Sequence, residues 1–215
     1  MNAPLFRDRT EAGRALARSL EHYAARDPIV LALPRGGVPV AVEVARALRV
    51  PVHLLVVRKL GVPGHEELAF GAVASGGLRV IDEEVVARTG VRRQDVEEIT
   101  QREAREVERR RIRYGASPPA LSDRSVIIVD DGLATGSTMR AAARAVRGAR
   151  PRHTAIAVPV AAPDVCDAMR SEADAVVCVE TPQDFAAVGL WYEDFGQVGD
   201  EDVHRYLTAS GSHRG

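Results

Sequence analysis

Five short apolar runs constrain this chain more than any other feature: residues 29–33, 52–57, 126–129, 154–160 and 175–179. Each is continuous rather than alternating, as in strands buried on both faces, and helix-patterned segments lie between them. Residues 38–48 read as a helix with Pro39 in its first turn, and 136–146 and 164–171 read as helices in the same rhythm. A further helix is expected over 10–26, with Thr10 as N-cap, Leu16, Leu20 and Tyr23 at helical spacing, and Asp27-Pro28 as the stop. The pattern implies an α/β fold, a parallel β-sheet with helices on both faces. At 215 residues and 46% hydrophobic, the chain can bury a sizeable core as one domain spanning 1–215.

Residues 61–124 break the rhythm. The Gly-rich part, 61–77, reads as a long flexible loop leading into irregular strands, of the kind that is more often functional than idle. Residues 92–113 hold six acids and eight arginines, with Glu98–Arg102 and Glu106–Arg110 in the favourable i,i+4 order. Val96, Ile99 and Val107 leave only a narrow apolar stripe, so a solvated helix lying against the domain is expected, not a nucleic-acid patch. A net charge of -1 likewise gives no reason to expect bulk binding to nucleic acid or membrane. No apolar run approaches the roughly 18 residues of a membrane span, and the first residues lack a secretory pattern, so a cytoplasmic protein is expected. Cys166 and Cys178 are too few for a disulfide framework and are expected as small buried core residues. The six histidines lack metal-ligand spacing, and residues 208–215 read as a flexible tail.

The segment richest in chemistry is 126–138, Val-Ile-Ile-Val-Asp-Asp-Gly-Leu-Ala-Thr-Gly-Ser-Thr, a strand running into a Gly- and hydroxyl-rich turn that opens a helix. Backbone N–H groups of Ala134, Thr135, Gly136, Ser137 and Thr138, three hydroxyls and the helix dipole favour a phosphate there. No Lys follows Gly136 and there is no Gly-x-Gly-x-x-Gly, which excludes a Walker loop and a dinucleotide fingerprint. Asp130 and Asp131, just before the turn, can accept hydrogen bonds from two hydroxyls of a sugar whose phosphate sits in the loop.

This segment resembles the phosphoribosyl-pyrophosphate (PRPP) signature of the type I phosphoribosyltransferases, two acids followed by Thr-Gly-x-Thr. The resemblance implies that Asp130 and Asp131 hold the ribose hydroxyls and that the turn holds the 5′-phosphate. It departs from the hypoxanthine-guanine enzymes in carrying Ala134 where they carry an Asp general base. Leu33-Pro-Arg-Gly-Gly37, after the first strand, is similar to the family's pyrophosphate loop: Gly36 and Gly37 admit an anion to the backbone, and Arg35 offers a planar guanidinium. That loop in the family commonly has an unusual cis peptide.

Among 29 basic residues only Lys59 is a lysine, and the Arg58-Lys59 pair at the end of the second run resembles the family's phosphate-binding cations. A flexible ammonium suits a leaving pyrophosphate whose charge grows during reaction. His65, Glu66 and Glu67, in the loop that follows, could touch substrate, though solvated loop residues are the plainer reading. Residues 181–207 are similar in placement to the family's C-terminal base-binding hood, with Phe185, Val188, Trp191 and Tyr192 as base contacts and Phe6 closing it. Aromatics there can equally be core or dimer surface, and the resemblance leaves a homodimer open. It implies magnesium carried by PRPP, with no direct protein ligands and at most water-mediated help from Asp130 and Asp131. The expected activity is phosphoribosyl transfer to a nitrogenous base; the alternative is a PRPP-sensing regulator on the same fold.

Overall fold

A computed structural model of the protein describes residues 3–117 and 119–209, without the side chains of Glu66 and Glu67. The elements in chain order are α1 (Arg9–Ser19), β1 (Ile29–Ala32), α2 (Gly37–Leu48), β2 (Val52–Leu54), β3 (Val57–Val62), β4 (His65–Ala74), β5 (Leu78–Ile81), α3 (Glu83–Thr89), α4 (Arg93–Arg113), β6 (Ser125–Val129), α5 (Ser137–Gly148), β7 (His153–Val160), α6 (Pro163–Met169), β8 (Ala175–Glu180) and α7 (Asp200–Ala209). The five apolar runs form one parallel sheet in the order β2-β1-β6-β7-β8, with β6 at its centre. Successive side chains of each strand feed two cores. Val30, Ala32, Ile127 and Val129 pack with Leu16 of α1, Leu20 just after it, and Val40 and Val44 of α2. Ile29, Leu31, Val126 and Ile128 pack with Met139, Ala142 and Val146 of α5 and Met169 of α6. Burying each such Val, Leu or Ile contributes about 1.5–3 kcal/mol, which is why the central strands tolerate so little polarity.

The first helix starts earlier and ends sooner than its periodicity suggests. Asp8, not Thr10, caps it, accepting the Glu11 N–H at 2.8 Å, and after Ser19 the chain tightens into a 3₁₀ turn over Glu21–Arg26. The 52–57 run is split: β2 stops at Leu54, and Val57 opens a strand of a different sheet.

The largest departure concerns residues 61–77. The strands expected after the loop are there, but the long loop is not: 61–77 hold the end of β3, a two-residue turn and the whole of β4, in an antiparallel sheet β3-β4-β5. Pro63-Gly64, with Gly64 at φ 78, forms the two-residue turn between Val62 and His65. Pro followed by a residue of positive φ is the chemistry of a type II turn, and this pair was the missed signal. Leu60, Val62, Phe70 and Val73 bury themselves in the same core as Val96, Ile99 and Val107 of α4, so the insertion is part of the packed body.

The two cysteines are not free thiols. Cys166 of α6 and Cys178 of β8 are joined as a disulfide, because the helix packs directly on its following strand. Thr208 and Ala209 belong to α7 rather than to a tail, and 210–215 lie outside the described residues. Among the described residues no helix is long and apolar enough to cross a membrane.

Candidate active site

β6 is buried along its whole length and delivers Asp130 and Asp131 to the carboxyl edge of the sheet, at its centre. Leu133 then bridges to Ala161, and the chain turns outward at Ala134 and Thr135, both exposed. Gly136, at φ 68, caps α5; a Cβ there would lie 2.8 Å from Val165 Cγ1 and 3.0 Å from Met169 Cε, so both backbone and space require glycine. Thr135 Oγ1 accepts the Ser137 N–H at 3.4 Å. Thr138 is exposed and Ser137 half-buried, so the hydroxyls and N-terminal amides of α5 are open to an anion.

The two acids are held tightly. Asp130 Oδ1 accepts the Asp131 N–H at 2.9 Å, and Asp131 Oδ2 accepts from Arg9 Nε at 2.8 Å. The Arg9 guanidinium lies 3.8 Å from the Phe195 ring centre, and the Tyr192 hydroxyl donates to the Asp131 carbonyl at 2.6 Å. Burial, reinforced by the neighbouring Asp131 charge, pushes the Asp130 carboxyl well above the usual carboxylate range. Burial also raises Asp131, against the opposing pull of Arg9. Two like charges in one desolvated place destabilise each other, and Arg9 is the counter-ion that offsets this.

The Arg35 loop packs against these acids. A Cβ on Gly36 would sit 2.1 Å from Asp131 Oδ2, and one on Gly37 would sit 2.7 Å from the Val129 carbonyl and 2.8 Å from Asp130 Cα. The paired glycines are thus the condition for the two loops to meet. The Pro34–Arg35 peptide is cis. The Arg35 side chain and Thr138 line one cavity of about 270 Å³, together with Arg109, Arg110 and Arg113 of α4, Tyr114 and Asp200.

Lys59 and Arg58 share a cavity of about 450 Å³ beside the Pro63-Gly64 turn, but as neighbours on a strand they also reach different partners. Lys59 lines a cavity of about 310 Å³ with Ser137 of the phosphate loop and Arg140 of α5. Arg58 pairs with Glu103 of α4 at 2.8 Å. Burial works against the Glu103 charge, but hydrogen bonds from Arg58 and Arg102 hold its carboxyl below the usual range. The Arg58 side chain thus has a partner on α4 while staying 39% exposed.

In the candidate hood segment 181–207, Val188 packs against Gly132, just after the paired acids: a Cβ on Gly132 would meet its Cγ1 at 2.6 Å. Phe185 stacks on Trp191 at 6.3 Å and is half-buried. Trp191 and Tyr192, expected as base contacts, are instead 4% exposed and pack with Phe6, Ala12 and Val160. Two aromatic side chains of this size are held where they remove most apolar area from water. Phe6 packs against the same segment, its N–H bonding the Trp191 carbonyl at 3.1 Å and its ring 5.7 Å from that of Tyr192. His65 opens β4, and the side chains of Glu66 and Glu67 lie outside those described.

Sequence reasoning missed Arg9, the α4 arginines, Tyr114 and Asp200. For Arg9 and Asp200 there was no local signal, since both reach the site only through tertiary packing. For α4 there was one: the acids stop at Glu108, and the last turn is almost wholly arginine.

Comparison with known proteins agrees with this geometry. The phosphoribosyl transferase domain model matches residues 9–193. Two Mycobacterium tuberculosis proteins, from strains H37Rv and CDC 1551, both carrying the provisional name phosphoribosyl transferase, are each 43% identical over 205 residues, 94% of this chain. That match covers 46% of their length, so the chain spans about half of these relatives. The crystal structure of TT1426 from Thermus thermophilus is 42% identical and superposes with a TM-score of 0.88, covering 95% of this chain and 98% of that one. With the paired acids, the hydroxyl turn and the glycine loop meeting at one sheet edge, and the family model spanning them all, this chain belongs to the phosphoribosyl transferase domain family.

Proposed function

We propose that this chain transfers the 5-phosphoribosyl group of PRPP to a nitrogenous base and releases pyrophosphate. One observation carries the reading: Gly36 and Gly37 lie against Asp131 and Asp130, so an anion loop and a pair of sugar-binding acids share one edge of the sheet. The 5′-phosphate is assigned to Ala134 through Thr138, the ribose hydroxyls to Asp130 and Asp131, and the pyrophosphate to Arg35, Gly36 and Gly37, with Lys59 reaching in from β3. The bond from ribose C1′ to the pyrophosphate oxygen breaks as the bond from C1′ to the base nitrogen forms, and the nitrogen's proton leaves to pyrophosphate or solvent. Positive charge building on the ribose is stabilised by the acids beside it.

Among the described residues no three metal-ligating side chains come together. The donor set at the acids, two carboxylates of which one is paired with Arg9, suits a magnesium ion brought in on the ligand and touched through water. When bound, the ion would neutralise pyrophosphate charge.

Ala134 is exposed and offers no base, so an adenine-like or pyrimidine acceptor, whose nitrogen needs little side-chain deprotonation, ranks above hypoxanthine and guanine. With Trp191 and Tyr192 buried, Val188 and Phe185 are the hood residues left to meet the base. The test is a panel of bases with PRPP and magnesium, read by pyrophosphate release. Fast ribosylation of hypoxanthine or guanine alone would refute the inference from Ala134. The regulator reading is favoured by Arg9 on Asp131 and Asp200 near Arg35, which give both candidate ligand groups partners within the chain. Tight PRPP binding with no turnover across the panel would put that reading first.

A further inference from the structure

The arginines that end α4 do not simply coat a solvated helix. Arg109, Arg110 and Arg113 turn toward the Pro34-Arg35 loop and Thr138, and the space between is a cavity of about 270 Å³, against about 30 Å³ for one water molecule. Glu106 neutralises part of this charge, hydrogen-bonding Arg109 at 2.8 Å and Arg110 at 2.7 Å. Its carboxyl is held down at about 2 by those two arginines, so it stays ionised. Arg35 and Arg113 have a different partner, Asp200 at the start of α7. Asp200 Oδ1 lies 3.7 Å from Arg35 and accepts from the Tyr114 hydroxyl at 3.0 Å, and Oδ2 pairs with Arg113. Burial and the Asp200 hydrogen bond hold the Tyr114 phenol above its usual range, so it remains a donor. Two guanidinium groups and a hydroxyl thus converge on one carboxylate, an arrangement that fits a phosphoryl group at least as well. Asp200 lies beyond the residues matched by the family model, which end at 193.

Resting on the proposed phosphoribosyl transfer, we infer that this cavity seats the pyrophosphate half of the substrate, with Arg113 and Tyr114 as binding groups supplied from outside the two loops. Asp200 is a built-in anion that holds the seat in the empty protein and is displaced when pyrophosphate enters. The ligand then brings its own negative charge to Arg35 and Arg113, and α7 keeps its anchor through Val203 and Leu207, both buried in the main core.

The experiment is calorimetry on the whole chain in magnesium with three probes: pyrophosphate, PRPP and ribose 5-phosphate. Arg113→Gln should weaken pyrophosphate and PRPP about tenfold or more and leave ribose 5-phosphate unchanged. Asp200→Asn should tighten pyrophosphate severalfold, because a neutral amide competes less well for the same arginines. Thermal melts identify any variant that unfolds, and Arg113→Lys, which keeps the charge but loses the fork, should fall between. Wild-type pyrophosphate affinity in Arg113→Gln, or an equal loss for ribose 5-phosphate, would overturn the seat. If wild type ignores PRPP and ribose 5-phosphate while its pyrophosphate binding still depends on Arg113, the seat stands and the transferase reading fails.

Discussion

Replacing Arg9 with Gln isolates the electrostatics of the paired acids. Arg9 and Asp131 are 11% and 15% exposed and meet at 2.8 Å, so the substitution leaves a desolvated carboxylate facing Asp130 with no counter-ion. Breaking a fully buried pair costs about 3–5 kcal/mol; with some solvent contact remaining, about 2 kcal/mol is expected here. The loss must depend on pH. Asp131 already has a raised folded-state pKa, and without Arg9 it rises further. A raised folded pKa means stability that is present at low pH and lost as pH climbs through that pKa. The Arg9→Gln deficit should therefore be full at pH 7.5 and shrink towards zero near pH 4, where both carboxyls take up protons. Urea unfolding of wild type, Arg9→Gln, Asp131→Asn and the double variant measures this directly, and the coupling between the two sites should exceed about 1 kcal/mol. The reasoning fails if Arg9→Gln is equally damaging with Asn at 131, or equally damaging at pH 4 and 7.5. Either result would mean that Arg9 acts by packing on Phe195 rather than by charge.

Asp130→Asn should stabilise the unliganded protein at neutral pH and give no gain below about pH 4, the sign set by the raised Asp130 pKa; melting temperatures across pH test it, and PRPP affinity should fall at the same time. Gly36→Ala, whose Cβ would drive Asp131 from its place, should lower PRPP affinity at least tenfold by calorimetry. Gly37→Ala meets backbone instead, and its main effect should be a stability loss of about 1–3 kcal/mol in urea. Lys59→Ala should weaken PRPP binding and Lys59→Arg restore it only in part; wild-type kinetics in the alanine variant would leave Lys59 no role beside Ser137 and Arg140.

The sheet was legible because its strands are short, continuously apolar and separated by helices, a pattern that few arrangements other than a parallel sheet covered on both faces can bury. Asp130, Asp131 and the turn through Thr138 were legible for a related reason: strand, acids and capped helix are contiguous in sequence, so local geometry fixes where they point. Gly36 and Gly37 could be suspected from their place after a strand. What the sequence did not say is that they touch Asp131 and Asp130, since contacts between residues so far apart in the chain depend on β1 pairing with β6.

Where tertiary packing decides, the sequence was silent or misleading. The insertion looked like a glycine-rich loop, yet Phe70 and Leu60 pull it into the core as a sheet. Trp191 and Tyr192 looked like a platform for a ring, yet burying their own area against Phe6 and Val160 outweighs presenting it. The composition of residues 92–113 determined a charged helix. Only the packed body could decide that its last arginines face Arg35 and Asp200, because charge in a sequence has a sign and a spacing but acquires a partner only when the chain closes on itself.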